Sequence, residues 1–129
     1  MSTIMTPISP GELLDRLTIL EIKLARIEDG GKRANVKVEF DTLCQVVARH
    51  IPERADIAAL QARLKAVNEE LWRIEDNIRD CERTGDFGST FVNLARSVYI
   101  TNDTRAALKK DINLALGSTL VEEKSYAPY

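Results

Sequence analysis

A small set of polar residues carries what chemistry this sequence could do. Trp72, Glu75, Asp76 and Arg79 fall three and four positions apart in a helical stretch, so they share one broad face. Asn102, Arg105 and Lys109 repeat the same spacing further along. Guanidinium and ammonium groups hold phosphate or carboxylate through charge-assisted hydrogen bonds. Trp72 offers a flat surface for a ring or a sugar face. Glu75 and Asp76 could orient the cations or accept ligand hydroxyls. The chemistry suggested is binding of an anionic small molecule, and no catalytic residue follows from it. The same residues also suit plain interhelical salt bridges, worth about 0 to 1 kcal/mol each when exposed. Both readings stand at this level.

The elements that must position these groups are helices. Ser9-Pro10-Gly11-Glu12 reads as a capping box with proline at the first helical position, where its missing N–H is harmless. Leu13, Leu17, Leu20, Leu24 and Ile27 then alternate four and three, a heptad-like stripe. Gly30-Gly31 is expected to end this helix through the left-handed conformation. Val36, Phe40, Leu43, Val47 and His50 or Ile51 form a second stripe stopped by Pro52. So short a link makes the two helices an antiparallel hairpin. The third stripe runs Ile57, Leu60, Leu64, Val67, Leu71, Ile74, Ile78, Cys81 without a break and closes at Gly85. That helix is about 40 Å long at 1.5 Å per residue.

The fourth helix extends to Gly117. The β-branched residues Val98, Ile100 and Thr101 weaken its middle, yet no glycine or proline interrupts it. One of its stripes passes through Phe91, Ala95, Val98, Asn102, Arg105, Lys109, Ile112 and Leu116. A neighbouring stripe through Leu94, Leu108 and Ala115 is more apolar, so the cations could merely flank the core. If the turn centres on Gly85, Trp72 faces Tyr99, and Glu75 and Asp76 face Arg96. Arg16, Lys23 and Arg26 of the first helix read as surface charge.

The expected fold is therefore all-α: one domain over residues 1–129, an antiparallel bundle of about four long amphipathic, coiled-coil-like helices. They lie near 10–29, 32–51, 55–84 and 88–116, followed by an extended tail over 118–129. The unbroken third stripe is longer than a hairpin of shorter helices can cover, which predicts a homodimer.

Composition narrows the function classes. A net charge of -2 provides no general attraction to nucleic acid. No stretch reaches the roughly 20 apolar residues of a membrane span, and the opening MSTIMTP has no basic start, so a cytoplasmic protein is expected. Cys44 and Cys81 sit in apolar stripes and read as reduced core thiols. With them, the lone His50 makes no metal pattern, and no cofactor motif is present.

Three stretches carry a family resemblance. SPGELLDRLTILEIKLARI (9–27), with LARSVYITNDTRAALKKDIN (94–113) and GSTLVEEKSY (117–126), resembles an uncharacterised bacterial helical family. Members of that family lie near genes for cell-surface polysaccharide and glycosyl transfer. The resemblance implies a role around glycan assembly, with a glycosyltransferase-type protein as partner, and no defined activity. NEELWRIEDNIR (68–79) followed by Asn102 and Arg105 is similar to a second uncharacterised helical family of the same neighbourhoods. The resulting expectation is a binding or interaction module in bacterial surface-polysaccharide or glycosyl-transfer metabolism. The alternative is a small helical enzyme or ligand-binding protein acting on a sugar phosphate or nucleotide sugar.

Overall fold

The computed structural model describes residues 1–129 as four helices and no strand. They are α1 (Pro10–Arg26), α2 (Gly30–His50), α3 (Ala55–Thr84) and α4 (Ser89–Ala115). The middle of α4 is continuous despite its β-branched residues, because packing along α3 outweighs a few tenths of a kcal/mol of propensity per residue.

α1 is the central element and touches all three other helices. It is accordingly buried on more than one face: Leu13, Leu14, Leu17, Leu20 and Ile22 are apolar, and Gly11, Asp15 and Thr18 are buried with them. α3 and α4 form the long antiparallel hairpin closed by Gly85, whose φ of 71° is the left-handed cap expected there. The core joins Leu14 of α1, Ile57 and Leu64 of α3, and Leu108 and Ile112 of α4. α2 lies on the outer side of α1. Its last turn sends Val47 into the core edge, joined by Ile51 just beyond it, and Val36 is the one buried residue of the helix. The stripe Phe40, Leu43, Val47 thus faces inward but is half covered.

Both ends of α1 are finished by groups from elsewhere. At the N-terminus Ser9 Oγ accepts from the Glu12 N–H at 3.2 Å, and Asn113 Oδ1 of α4 accepts from the Gly11 N–H at 2.7 Å. Glu12 does not complete the capping box; its carboxylate turns instead to Arg16 and Lys109. At the C-terminus, the expected Gly30-Gly31 stop is not used. α1 ends at Arg26, and Arg33 Nη1 of α2 donates to the carbonyls of Leu24 and Ile27. Those carbonyls need a donor, and the guanidinium provides it in place of a glycine turn. The two glycines become the first turn of α2 with negative φ, capped by Asp29 Oδ2 on the Lys32 N–H at 2.8 Å.

Gly11 lies at the tightest crossing. A Cβ there would stand 2.4 Å from the Lys109 carbonyl oxygen and 2.9 Å from Asn113 Oδ1. The backbones of α1 and α4 can approach so closely only without a side chain. Gly11→Ala should therefore cost about 1 to 3 kcal/mol in urea unfolding. Gly30→Ala, in helical backbone with nothing within 4 Å of its Cβ, should instead add about 0.4 to 1 kcal/mol. A loss at Gly30 would mean that the glycine pair ends α1 after all.

Candidate functional site

The centre of the polar architecture is a carboxylate that sequence reasoning did not single out. Asp15 is 0% exposed. Its Oδ1 accepts from Arg105 Nε at 3.0 Å, and its Oδ2 accepts from Arg105 Nη2. Asn68 Nδ2 of α3 adds a third donor at 2.9 Å and also reaches Thr18 Oγ1 at 2.9 Å. Thr18 in turn donates to the Asp15 carbonyl at 2.8 Å. One carboxylate thus ties α1, α3 and α4 together, and no buried side-chain polar atom is left without a partner. The forked geometry suits arginine and raises its pKa further, chiefly through the hydrogen bond to Asp15.

One turn away, Lys109 is 12% exposed and bridges Glu12 at 2.6 Å and Glu122 of the tail at 2.8 Å. Burial pulls the Lys109 pKa down, but its bonds to Glu12 and Glu122 outweigh this and the net shift is upward. Glu12 mirrors it: burial pushes up, the bond and charge of Lys109 pull down, and the net result is below 4.5.

The residues proposed as one cluster divide into two groups. Asn102, Arg105 and Lys109 stay together on α4, with the two cations facing α1 and not the carboxylates of α3. Trp72 lies under Arg26 of α1, 6.0 Å from the guanidinium carbon to the ring centroid. Glu75 and Arg79 pair with each other at 3.7 Å along α3, both exposed, and Asp76 stands exposed without an ionic partner. The expectation that Glu75 and Asp76 orient the α4 cations is therefore corrected. Helix α1 inserts beside the α3–α4 hairpin and supplies its own carboxylates first. Of the third helix, Asn68 is the residue that reaches the network. The legible signal was the stripe Gly11, Asp15, Thr18, Ile22 beside the leucine stripe: a small or polar second face on a helix that is buried nearly all round.

Asn102, Arg105 and Lys109 also form part of the floor of a cleft of about 1190 Å³ between α4 and the tail. Tyr99, Tyr126 and Tyr129 line it together with Lys110 and Lys124. No helix is long and apolar enough to cross a membrane.

A model described as a family of unknown function (DUF6165) matches residues 4–128. The chain belongs to that family. No curated protein and no solved structure gives a match. The family match spans all four helices and the tail up to Pro128, so the Asp15 network and all of the cleft lining except Tyr129 lie inside it.

Two predictions follow the network. Arg105→Met leaves a 1% exposed carboxylate side chain without its counter-charge and should cost about 3 kcal/mol in urea unfolding, at the low end for a buried pair because the guanidinium is 29% exposed. A cost under about 1 kcal/mol, the range of an exposed pair, would show that Asp15 is readily rehydrated. The second concerns pH. Ionised Glu12 contributes stability above its ordinary 4.5, and this is lost as pH falls through its lowered folded value. Protonated Lys109 contributes below 10.5 and is lost as pH rises through its raised folded value. Lys109→Met should move the Glu12 midpoint upward in a carboxyl carbon NMR titration, since burial is then opposed by Arg16 alone.

Proposed function

We propose that this chain is a helical interaction module serving cell-surface polysaccharide or glycosyl-transfer metabolism in bacteria. The observation that carries the module reading is its surface. The accessible area is 8785 Å², against about 6,900 Å² for an average compact monomer of this mass. The extended ends account for part of the difference. Exposed apolar side chains on α2 and at the tip of the α3–α4 hairpin contribute to it as well. Arg26 meets Trp72 at the end of α1, so the last stretch of α3, about 18 Å, continues with α4 as its only covering helix. Phe87 and Val92 stand 56% and 50% exposed there, and Val38 stands 69% exposed on α2. Such apolar surface suits a protein partner, and a second copy of the chain is the simplest one. The glycan context is supported by the sequence resemblance alone, and a glycosyltransferase-type protein is the partner it suggests.

Light scattering at micromolar concentration tests the module reading. The expected mass is twice 14.5 kDa, and Val92→Asp should return it to the monomer. A wild-type protein that stays monomeric at all concentrations would remove the support.

A second reading has its own observation. The cleft on α4 brings Asn102 and Arg105 beside three tyrosines, a lining suited to a phosphorylated or nucleotide-linked sugar. A thermal-shift screen against sugar phosphates and nucleotide sugars tests it, since a ligand of the folded state must raise the melting temperature. A flat response across the panel at millimolar ligand leaves the module reading alone.

A further inference from the structure

The tail is attached in an unusual way. Gly117, with φ of 63°, turns the chain at the end of α4, and the Ser118 N–H reaches the Asn113 carbonyl at 2.9 Å. Beyond Ser118 no backbone–backbone hydrogen bond holds the chain to anything. It runs back along α4 held by side chains: Glu122 on Lys109 at 2.8 Å, Glu123 on Lys110 at 3.4 Å, and Lys124 on Asp103 at 2.9 Å. The Tyr129 hydroxyl donates to Asp103 at 2.7 Å, and its ring meets Tyr99 at 5.4 Å. Glu122 and Glu123 are 64% and 74% exposed, so these contacts are individually weak and screened by salt.

The arrangement beneath the tail has direction. At one end, adjacent cations Lys109 and Lys110 each hold a carboxylate. About 15 Å away along the helix, the Tyr99 ring and Asp103 hold an aromatic ring and its hydroxyl. Between them lies the cleft of about 1190 Å³, with Asn102 and Ala106 on its floor. The tail thus places two anions at the cationic end and a hydroxylated ring at the aromatic end.

We propose that the C-terminal tail is a displaceable strap that occupies a ligand site on α4 in cis, and that the ligand it mimics is a nucleoside diphosphate or its sugar conjugate. This rests on the ligand-binding reading given above, for the part of the lining that α4 itself supplies, namely Tyr99, Asn102 and Arg105. Glu122 and Glu123 hold the places of the two phosphates, and Tyr129 holds that of the ring. Phosphate oxygens carry more charge than carboxylates and accept more hydrogen bonds from the same ammonium groups. They therefore displace the strap without disturbing the Asp15 network, because Lys109 keeps Glu12 and Arg105 keeps Asp15. The freed strap remains tethered at Gly117.

The experiment is calorimetric titration with uridine diphosphate and, separately, inorganic pyrophosphate. It compares the wild-type chain, the double variant Glu122→Gln/Glu123→Gln, and Lys110→Met. Urea unfolding confirms that each variant is folded, since these side chains lie outside the core. Neutralising the strap raises the open fraction, so the double variant should bind uridine diphosphate about tenfold more tightly than wild type. Lys110→Met should weaken it. Equal affinity in wild type and double variant overturns the strap while leaving ligand binding intact. No binding of either compound by any of the proteins overturns the proposal and the ligand-binding reading together. Pyrophosphate binding as tight as that of uridine diphosphate overturns the assignment of the ring to the Tyr99 end.

Discussion

Asp15 is the group on which the rest of the arrangement depends. A carboxylate removed from water needs its charge balanced and its lone pairs used. Arg105 supplies the charge in a forked pair, and Asn68 supplies another donor. Because these partners come from α4 and α3, the rotation of α1 about its own axis is specified. A leucine stripe alone would tolerate neighbouring rotations of nearly equal packing energy. The buried pair adds little net stability compared with an apolar substitute, but it penalises every alternative in which Asp15 loses its partner. We read the network as a device for uniqueness.

The same logic extends to the ends of α1. Its N-terminus is held against α4 by Gly11 and Asn113, and its C-terminus against α2 by Arg33. Helix termini leave orphan donors and acceptors, and here other helices satisfy them. The central helix is thereby fixed in position as well as in rotation. α2 is less constrained. It closes the hairpin, shields one side of α1 and leaves its own outer face open.

The cations that suggested anion chemistry accordingly have two environments. Arg105 and the inner side of Lys109 belong to the fold. The outer side of Lys109, with Lys110 and Lys124, belongs to the surface shared with the tail. Charge that looks uniform along the helix is divided by depth, because α1 approaches one side of α4 and the tail lies along another. The apolar hairpin tip and the cleft are formed by different residues.

What the sequence by itself determined is the set of helices. Each apolar stripe, and stops such as Pro52 and Gly85, are local features, and local spacing decides periodicity regardless of what lies opposite. The Ser9-Pro10 start, the third helix over 55–84 and the all-α class are legible for that reason. What the tertiary structure alone decided is which side chains meet. Glycine 30 could have ended one helix or begun the next, and the choice fell to Arg33, nine residues from the Leu24 carbonyl it caps. Arg105 could have met a carboxylate of α3 or Asp15 of α1, and the choice fell to the insertion of α1 beside the hairpin. Asp15 lies 90 positions from Arg105, and no periodicity within either helix encodes that pairing. It emerges when packing removes both groups from water and each becomes the lowest-cost partner for the other.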